Sequence, residues 1–467
     1  MAITLEAVKS AQKPHLRRGT YFVQTWGCQM NEEDSEQIGR HLESIGFSRA
    51  AAIQQAHVIL LNTCSVRKKP EDKAFSLLGE LALLKERRPE IIVGVCGCMA
   101  QLRAEEIRRR NPFVDFVVGT GQISSVPGLV EEAAQGKRFQ MRIELPERKG
   151  AVVTDVPRRA LPAASQQGPT KVKAFVPIQY GCDKFCTFCI VPTTRGRERS
   201  RPTEDIVSEV RALAELGTKE VTLLGQTVNS YGKNLADGRV PFSKLLWLLS
   251  GIPGLERIRY TSPYPRDFTP DLISCIGGCA KVMEHVHLPL QSGDDAMLKS
   301  MRRLYSVESY LKIVSDLRDA VPGIAITTDI IVGFPEETEA QFENTLAVMR
   351  DVRFDGAFMF LYSPRPGTPA GEMEQLPLGV KKERFRRLAD QQNRISLEIN
   401  ETLIGKRFEV LVEGASPKDG MIGQGYSREF KMMHFPLKNR DPRDIAGKLV
   451  SVKAETAHPW GLGGNLV

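Results

Sequence analysis

The stretch "GCDKFCTFC" (residues 181–189) places Cys182, Cys186 and Cys189 at C-x3-C-x2-C spacing, just after the apolar run "AFVPIQ". A zinc ribbon would close its site with four ligands, and a disulfide would leave one of the three thiols unpaired. Three thiolates can instead hold a four-iron cubane and leave one iron without a protein ligand. The spacing therefore predicts a [4Fe–4S] cluster whose fourth iron is open to a small molecule.

Short apolar runs alternate with amphipathic stretches from residue 171 to about 375. Six of the runs are typical of strands: "AFVPIQ", "EVTLLG", "RIRYTS", "HVHLPL", "AITTDIIVG" and "GAFMFLYS". The stretches between them have helical periodicity, for example "TEDIVSEVRALAELG" with Thr203 as its N-cap residue. Six such units are too few for an eight-unit barrel. They predict a partial (β/α)6 barrel whose chemistry lies at the carboxyl ends of its strands.

The same alternation precedes this region, and a different pattern follows it. The runs "TYFVQTW", "HVILLNT", "IIVGVCG" and "DFVVGT" predict an open parallel sheet covered by helices. Strand-like runs after residue 400, such as "RFEVLVEG" and "KLVSVKAE", predict a small all-β barrel. The chain is therefore expected to be an α/β protein with an N-terminal domain at 19–140, a linker at 141–167, the partial barrel at 168–400 and the β-barrel at 401–467.

Three further cysteines follow three different strands of the predicted N-terminal sheet. Cys28 follows "YFVQTWG", Cys64 follows "VILLNT", and either Cys96 or Cys98 is the third. The carboxyl ends of parallel strands share one edge of a sheet, so thiols that are distant in sequence can meet there. Unrelated packing thiols are the alternative, since free Cys is often buried. The equivalent positions favour a second three-cysteine cluster, and spacing does not choose between Cys96 and Cys98.

Composition is that of an ordinary globular protein from a reducing compartment. The chain has 467 residues, of which 42% are hydrophobic and 26% charged, and nine are cysteines. The apolar runs are too short to span a membrane and the N-terminus lacks a secretory signal, so we expect a cytoplasmic protein with no membrane partner. The net charge of +8 is a mild bias toward a polyanion such as nucleic acid.

Two remaining pairs of metal-ligand residue types are interpreted as packing groups. Cys275 and Cys279 can share a helical face, but two ligands do not make a site. His285 and His287 share a strand face, where a core or pocket role is favoured over a metal pair.

The cysteine motifs and several longer stretches together resemble the radical S-adenosylmethionine (SAM) methylthiotransferases. The N-terminal cluster motifs of that family are matched by "GCQMN" (27–31), "DSE" (34–36), "NTCSVR" (62–67) and "GCMAQ" (97–101). Its radical SAM motif is matched by "YGCDKFCTFCIVPTTRGRERSR" (180–201). Later blocks are matched by "LLGQTVNSYG" (223–232), "HLPLQSGDDAMLKSMRR" (287–303), "TDIIVGFPEETEAQF" (328–342) and "FLYSPRPGTPA" (360–370). The resemblance covers nearly the whole chain and makes Cys98, rather than Cys96, the third N-terminal ligand.

The resemblance implies a radical SAM enzyme with SAM and two [4Fe–4S] clusters as cofactors. One cluster binds SAM in the family and yields a 5′-deoxyadenosyl radical; its ligands here are Cys182, Cys186 and Cys189, with Phe188 part of the pattern. The other holds the sulfur to be inserted; its ligands here are Cys28, Cys64 and Cys98. A second SAM supplies the methyl group. Such a route suits an aromatic C–H, which ordinary bases do not activate.

Within the family, "GCQMN" is similar to the tRNA-modifying, MiaB-type branch. That branch replaces C2–H by C2–SCH3 in N6-isopentenyladenosine next to the anticodon, which implies the anticodon stem-loop of tRNA as a partner. An electron donor such as flavodoxin or ferredoxin is the other expected partner, and we expect a monomer. Family members that act on a ribosomal protein usually have Pro at position 29, and those that act on threonylcarbamoyladenosine in tRNA usually have Lys. A non-catalytic RNA-binding protein with structural metal is a further alternative.

Ten other residues are candidates for ligand contacts. Those for SAM or adenine lie at or after strand ends: Gln226, Asn229, Gln291, Ser292, Asp329 and Gly333. Loop capping is the alternative for the polar ones, whereas glycine would let backbone approach the adenine of SAM. Those for RNA lie two apart in "TRGRERSR": Arg195, Arg197, Arg199 and Arg201. In an extended segment they would form one basic strip for phosphates, with a solvated surface as the alternative.

The tail from about residue 400 resembles the TRAM domain, a small RNA-binding β-barrel. It departs from the family pattern at "GQG" (423–425), where Gly-Arg-Thr often stands. The departure removes one arginine from the expected phosphate contacts.

Overall fold

The computed structural model describes residues 19–65, 68–145, 159–160, 171–235, 238–438 and 440–467. The predicted linker at 141–167 lies mostly outside these residues. The described part of the chain divides into two compact units, and Thr193–Gly196 belongs to the first of them although it follows the C-x3-C-x2-C motif. Within these ranges, no helix has the length and apolarity needed to cross a membrane.

The first unit is built on a parallel six-stranded sheet. Its strands are β1 (Thr20–Trp26), β2 (Ser48–Arg49), β3 (Val58–Thr63), β4 (Ile92–Cys96), β5 (Phe116–Val118) and β6 (Gln140–Arg142). Its helices are α1 (Gln29–Ser44), α2 (Lys68–Arg87), α3 (Gly97–Arg110) and α4 (Val126–Ala134). The strand order is β2-β1-β3-β4-β5-β6, and all pairs are parallel.

Helices cover both faces of this sheet, which explains its uninterrupted apolar strands. Every residue of β3 is buried, because alternate side chains along a strand point to opposite faces. Helices α1 and α4 pack on one face around Leu60, and α2 and α3 pack on the other around Leu61. The predicted open parallel sheet is confirmed, and the edge strands β2 and β6, which are too short to be recognised from sequence, are additions to it.

The core of the second unit contains the six predicted strands, all parallel and in sequence order. They are β7 (Lys173–Pro177), β10 (Glu220–Leu224), β11 (Arg257–Tyr260), β12 (His285–His287), β13 (Ala325–Val332) and β14 (Gly356–Leu361). They form two three-stranded sheets, and a parallel bridge between Ile258 and Val282 joins β11 to the segment that leads into β12. A short antiparallel pair, β8 (Gln179–Tyr180) and β9 (Arg199–Ser200), adjoins the cysteine motif. The partial (β/α)6 barrel is confirmed.

Helices connect these strands, with an apolar core between helices and sheet. They are α5 (Val191–Arg195), α6 (Thr203–Glu215), α7 (Phe242–Ser250), α8 (Pro270–Gly278), α9 (Asp295–Ser300), α10 (Val307–Ala320), α11 (Glu339–Val352), α12 (Pro369–Glu372) and α13 (Leu378–Glu401). Thr338 caps α11 with its side chain. The prediction that Thr203 caps α6 is wrong: Pro202 occupies the N-cap position, and the Thr203 hydroxyl lies 2.9 Å from the Tyr231 hydroxyl instead.

The C-terminal segment closes into a five-stranded barrel, as predicted. Its elements are β15 (Arg407–Ser416), β16 (Asp419–Ser427), β17 (Met432–Pro436), α14 (Pro442–Ile445), β18 (Leu449–His458) and β19 (Gly461–Leu466). The order around the barrel is β15-β16-β17-β19-β18. A core of its own, including Val410, Phe435 and Val452, fills the interior.

Buried cations anchor this barrel to the amino ends of the core strands. Arg257, the first residue of β11, is fully buried and donates to the backbone oxygens of Tyr426 and Glu409 at 2.8 and 2.9 Å. Lys431 donates to Asp355, just before β14, at 2.7 Å. The cysteine motif follows the carboxyl end of β7, so the barrel and the motif lie at opposite ends of the core strands.

Arg257→Met should destabilise the protein by about 1–3 kcal/mol, because it leaves the backbone oxygens of Tyr426 and Glu409 and the Glu409 carboxylate without their donor. Urea unfolding of the full chain measures this. Arg443→Met is the matched control, since that side chain is 90% exposed on the same barrel, and it should change stability by less than about 0.5 kcal/mol. Equal stability of the two variants would show that the anchor contributes nothing.

Candidate metal centres

The first unit brings Cys28, Cys64 and Cys98 to one edge of its sheet. Cys28 is the N-cap residue of α1 and follows β1, Cys64 directly follows β3, and Cys98 is the second residue of α3, after β4. Because β1, β3 and β4 are neighbours in the sheet, the three βα turns are adjacent. This is the arrangement predicted from the position of each cysteine directly after a strand of the parallel sheet.

Two glycines allow these turns to approach each other closely. A Cβ at Gly27 would lie 2.8 Å from the Cβ of Cys64, and a Cβ at Gly97 would lie 2.3 Å from the Asn62 side-chain oxygen. Gly97 also has φ of +89°, which L residues adopt at a cost. The glycine before Cys28 and the glycine before Cys98 are therefore required by the packing of the turns.

Two buried asparagines fasten the turns to one another. Asn31 donates to the side-chain oxygen of Asn62 at 3.1 Å, and Asn62 donates to the backbone oxygen of Asn31 and to the hydroxyl of Ser35, both at 2.8 Å. Both asparagines are fully buried. They belong to the "GCQMN" and "NTCSVR" motifs, in which the cysteine positions alone do not reveal the role of the asparagines.

A buried ion pair adjoins the same thiols. Arg195 donates to Asp34 at 2.8 Å, and both side chains are about 4% exposed. Arg195 also forms a hydrogen bond with the Cys98 sulfur, and its charge acts on Cys28. Burial raises the pKa of the Cys98 thiol, and the Arg195 charge opposes that rise. The guanidinium thus favours the thiolate, which is the form that binds metal.

Cys96 has a different environment from Cys98. It is the last residue of β4, is fully buried, and packs in the apolar core between the sheet, α1 and α4. Burial raises the pKa of the Cys96 thiol to about 12. Cys96 therefore has the surroundings of a packing thiol, whereas Cys98 lies beside a cation and another thiol.

The second unit holds Cys182, Cys186 and Cys189 in a compact loop. The backbone N–H of Cys189 donates to the Cys186 oxygen at 3.0 Å, and Phe185, just before Cys186, adopts a left-handed conformation with φ of 49°. Burial raises the pKa of the Cys182 and Cys189 thiols to about 12 and 11, with the neighbouring cysteines adding to the effect. Phe188 packs edge-on against Phe334.

The donor sets fit clusters better than a single metal ion. In the described ranges, no three His, Cys, Asp or Glu side chains are arranged to hold one ion. A cubane distributes its protein ligands over different irons, so its thiolates need not share one coordination sphere. Two sets of three mostly buried thiols, each facing other cysteines and one arginine, suit that chemistry.

Arg303 contacts the second set of cysteines and was missed by the sequence analysis. Its guanidinium donates to the Cys186 sulfur at 3.2 Å and to the Tyr305 hydroxyl at 3.0 Å. It lies over the rings of Tyr264 and Tyr305, at 4.8 and 5.2 Å from their centres. Since Arg303 is 117 positions away from Cys186, no local spacing pattern could have revealed the contact.

Several of the predicted SAM or adenine contacts have structural partners. Both side-chain amide atoms of Asn229 pair with the backbone of Tyr264, at 2.7 and 3.0 Å. The Ser292 hydroxyl is fully buried and accepts from the backbone N–H of Asp294 at 3.3 Å. These two residues have the loop-capping role that was the alternative.

The remaining predicted contacts differ in accessibility. Gln226 and Asp329 are partly exposed, and Asp329 lies 3.4 Å from His287. Gln291 is buried with φ of 73°, and its backbone pairs with β13. At Gly333 a Cβ would lie 2.5 Å from the Lys381 side chain. Gly333 also has φ of +70°, so both its backbone conformation and the packing of Lys381 favour glycine, and its contact with adenine stays a prediction.

A cluster of charged residues at the mouth of the partial barrel, where the carboxyl ends of its strands lie, was also not predicted. Asp267 accepts from Lys184 at 2.8 Å and from Lys233 at 2.7 Å, and the Ser230 hydroxyl also donates to it. Burial opposes ionisation, but these donors outweigh it and lower the pKa of Asp267. Burial raises the pKa of Glu198, whose carboxylate accepts from Thr227 at 3.1 Å. The carboxylates of Asp267 and Glu198 are therefore held in fixed orientations by their hydrogen bonds.

The prediction of one exposed arginine strip is wrong. Three of the four side chains are buried: Arg195, Arg199 and Arg201. Arg201 pairs with Glu209 at 2.8 Å, as Arg195 does with Asp34. The side-chain alternation of an extended segment does not apply, because α5 ends at Arg195 and only Arg199 and Ser200 form a strand. Arg197 alone of the four is exposed.

The other candidate pairs are packing groups, as predicted. His285 and His287 lie 2.9 and 3.0 Å from the Thr327 hydroxyl, and His285 stacks on Phe430. Cys275 and Cys279 are buried in the core of the second unit.

Asn62→Ala should reduce the iron content of the reconstituted protein by about four atoms per chain, because it releases the turn of Cys28 from that of Cys64. Iron analysis and circular dichroism after anaerobic reconstitution test this. Ser44→Ala, at the exposed far end of α1, is the control and should retain about eight irons. A folded Asn62→Ala variant with full iron content would contradict the role of this network.

Two family models match the chain. The model described as "Uncharacterized protein family UPF0004" matches residues 20–119, and the Radical SAM superfamily model matches residues 176–349. The first range contains Cys28, Cys64 and Cys98, and the second contains Cys182, Cys186 and Cys189.

Curated relatives extend the similarity to nearly the whole length. The tRNA-2-methylthio-N(6)-dimethylallyladenosine synthase of Moorella thermoacetica is 47% identical over 453 residues, covering 96% of this chain and 99% of the relative. The Bacillus subtilis protein of the same name is 44% identical, covering 96% of this chain and 86% of the relative.

Among solved structures, the radical SAM methyltransferase TsrM from Kitasatospora setae matches with a TM-score of 0.55 and 14% identity. The match covers 92% of this chain and 82% of that one. At this identity the match is evidence for the fold alone.

Proposed function

This chain belongs to the tRNA-2-methylthio-N(6)-dimethylallyladenosine synthase family, and from that membership we propose how its residues serve the reaction. It is a radical SAM enzyme that replaces C2–H by C2–SCH3 in N6-dimethylallyladenosine of tRNA, with SAM and [4Fe–4S] clusters as cofactors. The observation that carries the assignment is full-length similarity to relatives of that name, at 47 and 44% identity. A ribosomal protein or threonylcarbamoyladenosine as substrate is not favoured.

We propose that each unit holds one cluster. Residues 19–140 would hold the auxiliary cluster, with the ligands Cys28, Cys64 and Cys98, and residues 168–400 the radical cluster, with the ligands Cys182, Cys186 and Cys189. When bound, the radical cluster would supply the electron for SAM cleavage, and the auxiliary cluster would hold the sulfur to be inserted. Separate cysteine sets would keep these tasks apart, since one iron cannot chelate SAM and carry sulfur at the same time.

The residues around the cysteines would control this chemistry by burial and charge. The thiols are mostly buried, which raises the pKa of Cys98, Cys182 and Cys189, and the Arg195 charge opposes that rise at Cys98. Arg303 donates to the Cys186 sulfur. The Asp267 and Glu198 carboxylates, already hydrogen-bonded, support a polar site for SAM at the mouth. Gln226 and Asp329, which are partly exposed there, remain the proposed contacts to SAM or adenine.

We further propose a cytoplasmic monomer that receives electrons from a flavodoxin or ferredoxin. Reduced thiols and a tRNA substrate support the location. Arg197 and the C-terminal barrel, residues 401–467, are proposed to contact RNA, since Arg197 is exposed and the barrel resembles a TRAM domain.

Cys186→Ala should abolish formation of 5′-deoxyadenosine, whereas Cys28→Ala should retain it but yield no methylthiolated adenosine, because the two cluster sites have separate tasks. Chromatography with mass spectrometry measures both products on an anticodon stem-loop. Cys96→Ala is the matched control and should form both, because Cys96 packs in the core. Methylthiolated product from Cys28→Ala would contradict the assignment of two cluster sites with separate tasks.

Gln424→Arg should tighten tRNA binding several-fold at low salt and steepen the salt dependence by about one phosphate contact. Gln424 lies opposite His434 on the barrel, at the position where the family often has arginine. A filter-binding series over salt concentration measures this, with Lys453→Arg, which keeps the charge, as the control. Deleting the barrel would be less informative, because Arg257 would lose its partners. An unchanged salt slope would exclude tRNA from this position.

A further inference from the structure

Arg303 contacts one cysteine of the C-x3-C-x2-C motif and is held in that position by other residues. Its guanidinium donates to the Cys186 sulfur at 3.2 Å, while the Tyr305 hydroxyl that accepts its Nε–H donates onward to the backbone oxygens of Pro289 and Leu290. The two tyrosine rings beneath and beside the guanidinium restrict it further. The cation is therefore held in one place by partners other than the sulfur.

The charge of Arg303 has no anionic partner among the described residues. Its hydrogen bonds go to the Cys186 sulfur and the Tyr305 hydroxyl. Asp267 is bound by Lys184 and Lys233, and Lys184 and Arg303 both lie over the Tyr264 ring. Arginine stays protonated in proteins. The cation that contacts Cys186 therefore has no carboxylate bound to it among the described residues.

The arginine of the first unit is arranged differently. Arg195 also forms a hydrogen bond with a cysteine sulfur, that of Cys98, but Asp34 binds the same guanidinium at 2.8 Å. Burial raises the pKa of Asp34, and the charge and hydrogen bond of Arg195 oppose that rise. Because a buried arginine keeps its charge, the ionised carboxylate is the state that leaves the pair neutral. The cysteines of the first unit therefore face a cation whose charge is cancelled.

We propose that Arg303 is a positioning residue that makes the radical cluster easier to reduce than the auxiliary cluster. The inference rests on the proposed ligand sets. The couple is a one-electron one, in which [4Fe–4S]2+ gains an electron to become [4Fe–4S]+. A fixed cation stabilises the added negative charge, and hydrogen bonds to the sulfurs act in the same direction. At the auxiliary cluster Asp34 cancels the charge of Arg195, so the added electron is stabilised less there. Electrons therefore enter first at the cluster that cleaves SAM.

The test is a redox titration with viologen mediators, followed by electron paramagnetic resonance, on full chains that hold one cluster each. Alanine at the three cysteines of one site isolates the other cluster. Arg303→Gln should make reduction of the radical cluster about tenfold less favourable, a fall of about 59 mV for one electron. Asp34→Asn should make reduction of the auxiliary cluster about tenfold more favourable. Arg302→Gln, at the exposed neighbouring position, is the control and should shift neither.

Arg303→Lys separates the effect of charge from that of structure, since it keeps the cation. The reduction potential of its radical cluster should stay close to the original value, even if Arg303→Gln binds the cluster poorly. Normal iron content with no shift in Arg303→Gln overturns the inference but leaves the ligand sets intact. A Lys variant whose potential falls as far as that of the Gln variant also overturns it. If neither single-site protein binds about four irons, the ligand assignment fails and the inference fails with it.

Discussion

The carboxyl ends of β1, β3 and β4 lie side by side at one edge of a parallel sheet, and the rest of the first unit's chemistry depends on that alignment. Parallel pairing in register brings Trp26 beside Thr63, and Asn62 beside Cys96. Cysteines that are 36 and 34 positions apart in the numbering thus reach the same edge. Two glycines then let the turns approach closely, and two asparagines join the turns by hydrogen bonds: Gly27, Gly97, Asn31 and Asn62. A cluster site with ligands from three separate turns needs such a rigid frame, because no single loop sets its geometry.

Burial of the thiols makes the empty and loaded proteins electrostatically different. Burial raises the pKa of the Cys182 thiol to about 12, so without iron this thiol is protonated at neutral pH. Iron binding requires the thiolate and therefore releases protons. At Cys98 the charge of Arg195 reduces that cost. Arg303 would remain beside the Cys186 sulfur afterwards, where its charge would act on the cluster.

Strands and cysteine positions could be predicted from sequence, whereas long-range charge pairing could not. Apolar runs such as "VILLNT" are determined locally by burial on both faces, and the cysteines follow them directly. The arginine strip failed because the burial of Arg195 and Arg201 depends on Asp34 and Glu209, which lie on other elements. Arg303 was missed for the same reason. The Thr203 cap failed for a local reason, since Pro202 occupies the N-cap position and the Tyr231 hydroxyl lies within hydrogen-bond distance of the Thr203 hydroxyl.

The position of the C-terminal barrel constrains how it can serve a tRNA enzyme. Lys173 begins β7 and contacts Glu413 and the Tyr426 ring of the barrel, whereas Cys182 follows the other end of the same strand. A five-residue strand spans about 16 Å, so the anchored face of the barrel is at least that far from the cysteine loop. Buried partners at Arg257 and Lys431 prevent the barrel from swinging toward the mouth without losing several hydrogen bonds. If the barrel binds tRNA, it therefore grips a part of the molecule that is remote from the modified base, and it orients the anticodon loop through the stem.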